Sequence, residues 1–327
     1  MKYSKASGYG QLQALLAQNG ITTFGKVLIV VEDSDSANYQ RLQEIFDVDN
    51  DGAVRFFSTV SAAYDAATTN ANDVILLSGN TTHTLTSMLT VSKSRVHFVG
   101  TGVGERAYGQ AAKVTMGVTT NATDVFAVKN TGVRNSFINI KFSNGNTVAQ
   151  NVACFGEGGE YTYFKNCEFY DSTNLDSDTH AEMVLNGDSA QFVNCTFGSL
   201  ADAVSGDKVR PAILLTKGTV GTGLVSRDVL FDKCRFWKQA GGTTTAMVKS
   251  AATDVERVME FHDCQFIANP LGSAPAVAIA SATLTVGMIL LTGDTCATKC
   301  TKIATATGVF NCTPARVATA TIGIQAT

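Results

Sequence analysis

The residues best suited to chemistry in this chain are short clusters of acids and a few isolated histidines. Asp47-Val48-Asp49-Asn50-Asp51-Gly52 has the spacing with which a calcium loop begins, oxygen ligands at alternate positions ahead of a glycine. Such a loop needs a bidentate acid at its twelfth position, which counted from Asp47 is Ser58. An acidic turn with glycine at a positive-φ corner accounts for the same residues, with weak cation contact as the alternative. Close carboxylate pairs occur at Glu157/Glu160, Asp176/Asp178 and Asp254/Glu256. Glycoside hydrolysis needs two carboxyls facing each other across a bond, about 5–10 Å apart. Asp228, Asp232, Arg235, Asp254 and Arg257 add further acids and bases, without a common repeat position. Solvated loops and turns are the simpler account of all of them.

The four histidines, His83, His97, His180 and His262, show no metal or triad spacing. No G-x-S-x-G elbow occurs. Gly102-Val103-Gly104 lacks the βαβ surroundings of a dinucleotide fingerprint. Asn121-Ala122-Thr123 and Asn194-Cys195-Thr196 match the glycosylation sequon, which matters only in a secreted chain. The start of the chain shows no apolar signal segment, so a cytoplasmically made protein with reduced thiols is expected. Of the eight cysteines, Cys296 and Cys300 are four apart with no partner pair at zinc spacing. No catalytic, cofactor-binding or metal-binding residue is therefore assigned. Trp237, the only tryptophan, is the one side chain set aside as a possible sugar platform.

What must position any such residue is a repeat. Phe137-Ile138-Asn139-Ile140-Lys141-Phe142 is followed by Phe164-Lys165-Asn166-Cys167-Glu168-Phe169 and Phe192-Val193-Asn194-Cys195-Thr196-Phe197. Phe231-Asp232-Lys233-Cys234-Arg235-Phe236 and Phe261-His262-Asp263-Cys264-Gln265-Phe266 complete the set. The copies start 27, 28, 39 and 30 residues apart. A strand-like hexapeptide recurring about every 30 residues is one strand per turn of a β-solenoid. Successive turns lie about 4.8 Å apart, so equivalent side chains stack. Cys167, Cys195, Cys234 and Cys264 then form an inner ladder of small buried residues, with Phe169, Phe197, Phe236 and Phe266 beside them. The neighbouring Asn or Asp ladders its side chain or marks the bend. The long interval, which includes residues 198–223, is read as an outward loop.

Upstream, Val74–Leu77, 83–91 and Val96–Val99 read as short strands separated by turn residues. Phe56, Val60, Ala63, Tyr64 and Ala67 fall on one face of a helix over 55–67, which caps the open end of the solenoid. Residues 1–54 form a small arm. It holds a helix at 11–18, a buried strand at 25–31, and a second helix at 39–46 capped by Ser36 or Asn38. The domain division is 1–54, an arm or capsid-attachment segment, and 55–327, the capping helix and solenoid.

The stretch 72–104, with its apolar run, Leu-Thr-Val strand and Val-x-Phe-x-Gly, resembles the first turns of the pectate-lyase-like right-handed parallel β-helices. The F-x-N-C-x-F copies resemble their later rungs, so the likeness spans about 72–270. The segment 25–41, with 134–142 and 187–200, resembles bacteriophage and prophage proteins that form particles. That resemblance implies a virion-associated structural protein, not an enzyme and without cofactor, most simply a capsid decoration or cement protein. It would bind the major capsid protein or other virion proteins and associate as a homotrimer, in the virion after synthesis in the host cytoplasm. The alternative is a tail-spike-like β-helix that binds or cleaves host surface polysaccharide. It requires an outer groove with aromatics and two carboxylates within reach of each other. Basic and acidic residues nearly balance, 25 against 28, with no basic stripe, so direct binding of nucleic acid is not expected. No apolar run reaches about 18 residues, so no membrane span is expected.

Overall fold

The computed structural model describes residues 10, 13–14, 16–18, 20–21, 25–32, 37, 39–40, 55–79, 81–102, 109–117, 123, 125–145, 152–171, 179–199, 210–220, 225–238, 246–268, 277–281, 284–298, 300, 302–304 and 308–312. The acidic run 47–52, the pair Asp176/Asp178, the sequon asparagine Asn121 and the caps Ser36 and Asn38 lie outside them.

Successive strands of the chain fall in turn into three parallel sheets. The first has eleven strands, from Phe56–Phe57 and Val27–Val30 at one end to Val309–Asn311 at the other. The second runs over eight strands from Thr81–Leu85 to Cys296–Thr298, and the third over eight from Leu89–Val91 to Lys302–Ala304. The chain is a right-handed parallel β-helix.

The repeat builds its centre. Phe137, Phe164, Phe192, Phe231 and Phe261 are register partners in the first sheet. Phe142, Phe169, Phe197, Phe236 and Phe266 are partners in the second. Strict strand alternation would send the first and sixth residues of the hexapeptide to opposite faces. Both point inward, because the third residue resets the pleat. Asn139, Asn166, Asn194, Lys233 and Asp263 all have φ between 51° and 57°. Asn and Asp tolerate this left-handed conformation better than other side chains, apart from glycine. Their amides also form a chain: Asn166 Nδ2 donates to Asn139 Oδ1 at 2.9 Å and Asn194 Nδ2 to Asn166 Oδ1 at 2.8 Å.

Inside, the rings of Phe98, Phe137, Phe164, Phe192, Phe231 and Phe261 stack near-parallel, with centroids 4.6 to 5.1 Å apart. The second column meets them edge-on, as Phe192 and Phe197 do at 69°. Burying each ring is worth roughly 1.5–3 kcal/mol, and offset or edge contacts add about 0.5–1.5. Cys167, Cys195, Cys234 and Cys264 are buried free thiols in the same interior. Cys167, Cys234 and Cys264 each donate to a Phe carbonyl of an earlier turn at 3.2–3.3 Å.

The N-terminal end is closed by helix α1, Val60–Ala66, started by Thr59 Oγ1 accepting from the Ala62 N–H. It is shorter than the 55–67 expected, because Phe56–Phe57 is a strand of the first sheet. Phe56 then faces the outside of that sheet, where it meets Tyr39. Val60, Ala63 and Tyr64 enter the core, and the Tyr64 ring continues the stack onto Phe98 at 6.2 Å. Lys93 Nζ donates to the carbonyls of Tyr64, Asp65 and Ala67, tying the helix end to the next turn. Val27–Val30 is a buried strand, as its sequence suggests, and pairs with Asp73–Leu77. Leu16 and Ile21 cover the outer side of that sheet with Val27, Ile29, Val74, Leu76, Val99 and Ile138.

Candidate functional site

The second sheet turns two rows of side chains outward. The fifth hexapeptide position gives Lys141, Glu168, Thr196, Arg235 and Gln265, continued back to Lys113 and Thr82. The position after the second Phe gives Ser143, Tyr170, Gly198, Trp237 and Ile267. Between these rows is an open groove of about 630 Å³, lined by Thr81, Thr82, 109–111, Lys113, Lys141, Glu168, Tyr170, Thr196, Gly198, Ser199 and Trp237.

Each part has a local cause. Tyr170 and Trp237 sit two turns apart, roughly 10 Å along the axis, with Gly198 between. Gly198 has φ +87°, and a Cβ there would strike the Trp237 carbonyl oxygen. Glycine thus brings the backbones together and leaves a hollow between two rings. Glu168 is buried, accepts from the Gly109 N–H and pairs with Lys141 Nζ at 3.0 Å. Lys141 Nζ also lies 5.0 Å from the Tyr170 ring centre, a cation–π contact. Lys113, next in the row, has its pKa lowered by burial and then by the charge of Lys141. The groove thus offers aromatic faces, hydroxyls, one ammonium engaged by Glu168 and a second, Lys113, in its lining. Such a surface can stack on sugar rings, hydrogen-bond hydroxyls and pair with a carboxylate.

Other residues noted from sequence are placed elsewhere. Glu157 is enclosed, accepting from Asn130 Nδ2 at 2.9 Å, Thr162 Oγ1 at 3.0 Å and the Gly159 N–H at 2.7 Å. Burial pushes its carboxyl up to about 7, against the pull of those donors. Glu157 is wholly enclosed, whereas Glu160 is partly exposed. Asp254 accepts from the N–H groups of Ala251 and Lys217. Arg257 bridges Asp228 at 2.7 Å, beside Arg227 on Asp188 at 2.8 Å. His83 is buried with Nε2 3.0 Å from the Ser78 carbonyl. His97 points to the outer side of its strand, yet is buried, and neither ring nitrogen is hydrogen-bonded. Of the residues set aside from sequence, only Trp237 enters the groove. Lys113, Lys141, Glu168 and Tyr170 were missed, although the fixed offset of three of these from the repeat phenylalanines marks them as outward.

No protein-family model matches this sequence, and no curated protein does. Solved structures do. A pectin methylesterase in complex with a hexasaccharide superposes with TM-score 0.55 over 91% of this chain and 92% of that one, at 12% identity. Pectate lyase Pel9A gives 0.54 over 83% and 62%, at 14%. The fold is pectate-lyase-like. A protein of Geobacillus virus E2, ORF18, aligns at only 0.33, with 12% identity over 79% and 58%, a likeness that carries no argument. At these identities the likeness shows the fold alone. It corrects one expectation nonetheless: the chain was read as not an enzyme, whereas its structural neighbours are pectin-modifying enzymes. That expectation rested on the resemblance of 25–41, 134–142 and 187–200 to particle-forming proteins, and a fold of this kind carries enzymes as well as structural proteins. Among the described residues, no helix is long and apolar enough to cross a membrane.

Proposed function

We propose that this β-helix binds a polysaccharide bearing carboxylate groups along the outer face of its second sheet. The observation that carries the reading is the groove in which Tyr170 and Trp237 flank Gly198 beside Lys113 and Lys141. The rings supply sugar-stacking faces at a spacing set by the turns, and Lys113 supplies the charge for an acidic sugar. The polysaccharide-directed β-helix expected as the alternative also needs two carboxylates. Among the described residues, Glu168 is the one acid lining the groove, so the support is for binding.

The test is affinity electrophoresis of the full chain in gels containing polygalacturonate or neutral dextran. Retardation by polygalacturonate alone, reduced by Trp237→Ala and by Lys113→Ala, is expected. Equal mobility in both gels overturns the reading. Release of unsaturated oligosaccharides or of methanol from pectin in the same preparations reports whether binding leads to cleavage.

The particle-protein resemblance of residues 25–41 supports placing the chain on a bacteriophage virion. There the arm would contact the major capsid protein or other virion proteins, with the β-helix as a homotrimer in the manner of a decoration or spike. Copurification with capsids, and the mass of the free protein in solution, test that placement separately from the groove.

A further inference from the structure

The outer side of the first sheet carries a second polar group, on a different sheet from the groove. Strands Ser226–Asp232, Val255–His262 and Gly287–Thr292 lie side by side, and their last residues, Asp232, His262 and Thr292, are register partners. Asp263 follows at the left-handed corner, φ 51°. One ligand atom from each of Asp232, His262 and Asp263 lies within 4.8 Å of the other two.

The tautomer of His262 is set from outside this trio. Thr292 Oγ1 donates its only proton to Glu260 Oε1 at 2.6 Å. The same oxygen can then only accept from His262 Nδ1, 3.0 Å away. A neutral ring so held has its lone pair on Nε2, which faces Asp263 Oδ2 at 3.5 Å. Two acceptors facing each other repel unless a positive centre lies between them. Asp263 Oδ1 accepts from the Asp294 N–H at 2.8 Å, which orients the carboxylate and leaves Oδ2 for the site. Asp232 Oδ1 is enclosed and has no hydrogen-bond partner. Gly293, φ +60°, completes the fit, since a Cβ there would strike Asp263 Oδ1 and crowd the His262 ring.

We propose that Asp232, His262 and Asp263 bind a divalent transition-metal ion through one imidazole nitrogen and two carboxylate oxygens. A mixed nitrogen and oxygen set suits zinc, cobalt or manganese, and three protein ligands on a partly exposed corner leave positions for water. Glu260 and Thr292 are the outer partners that hold a ligating imidazole by its other nitrogen. Lys233 Nζ, 3.8 Å from Asp232 Oδ2 and on a mostly exposed side chain, is the cation that the metal displaces. The proposal is independent of the glycan reading.

Titration of Co²⁺ into the purified full chain reads stoichiometry and ligand type together. One equivalent is expected, without thiolate-to-metal charge-transfer bands, which would instead report the exposed Cys296 or Cys312. His262→Ala weakens binding at least about tenfold, and Thr292→Val, which leaves the trio intact, weakens it about tenfold. Lys233→Ala tightens it by removing the competing ammonium. Circular dichroism of each metal-free variant confirms the fold, and Asp232→Asn serves as the second ligand variant. No binding, thiolate bands, or affinity unchanged in both His262→Ala and Asp232→Asn would each overturn the proposal.

Discussion

In the first two sheets, the turns from Phe164 to Phe266 send their repeated phenylalanines into one shared interior, while the third sheet adds a separate apolar cluster of Ala153, Ala181, Val184 and Leu214. At the N-terminal end the same first sheet is apolar on both sides: Leu28, Val30, Ile75 and Leu77 face inward, while Val27, Ile29, Val74 and Leu76 meet Leu16 and Ile21 outside. Parallel sheets covered on both faces read as continuous apolar runs, and Val27–Val30 and Asp73–Leu77 are buried throughout. The contrast teaches a division of labour. Repeated turns hold together by like side chains stacked inside, which frees the outer faces of the first two sheets for polar groups. The N-terminal turns, where the first sheet is covered from outside, take a second apolar layer.

The largest effect that can break this contrast lies in the column. Phe192→Ala opens a cavity between stacked Phe164 and Phe231 and should cost about 3–5 kcal/mol in chemical denaturation. Phe56→Ala, in the half-buried outer layer, should cost clearly less. Equal losses would mean that the two regions are not held differently.

Next come two enclosed ionisable groups, one from each region, with opposite pH slopes. Glu157 has its carboxyl raised to about 7 by burial. The folded chain keeps a proton that the unfolded chain releases near 4.5, so this group's contribution is full below that pH and lost as pH rises through 7. The swing is on the order of 3 kcal/mol. His97 has its ring lowered to about 4 by burial. The unfolded chain gains a proton near 6.5 that the folded chain refuses, so its contribution is full above that pH and lost as pH falls toward 4. Glu157→Gln should flatten the loss between about pH 4.5 and 7, and His97→Phe the loss between about 6.5 and 4, in melting temperatures recorded across that range.

A smaller effect sharpens the account of the corners. Asn166→Ala removes a side chain that bridges Asn139 and Asn194 and leaves alanine at φ 53°, for an expected loss of roughly 1–2 kcal/mol. The smallest concerns the outside. Trp237→Ala should change stability by less than the Phe192 variant, yet weaken polygalacturonate retention about tenfold, or 1.4 kcal/mol.

How much of this was legible follows from the same contrast. The central turns declare themselves because one hexapeptide recurs, and the vertical alignment of Cys167, Cys195, Cys234 and Cys264 follows from it. The second apolar layer does not, because Leu16 and Ile21 carry no period that ties them to Val74 or Val99. The groove was half readable. Trp237 stands out by type, whereas Lys113, Lys141, Glu168 and Tyr170 matter only through register, and the hollow depends on a positive φ at Gly198. The Asp232, His262 and Asp263 group was hidden because two of its members come from one turn and the third from the turn before, 30 residues away.

The left-handed corner at the third hexapeptide position has an evolutionary corollary. Each corner restarts the count locally, so whatever lies between one hexapeptide and the next is free to grow or shrink, as intervals of 27 to 39 residues attest. A genetic duplication or loss of one whole period is then a conservative event. Excising residues 164–191 would seat Phe192 directly on Phe137 and Cys195 on Ile140, giving a shorter rod with an unbroken aromatic spine.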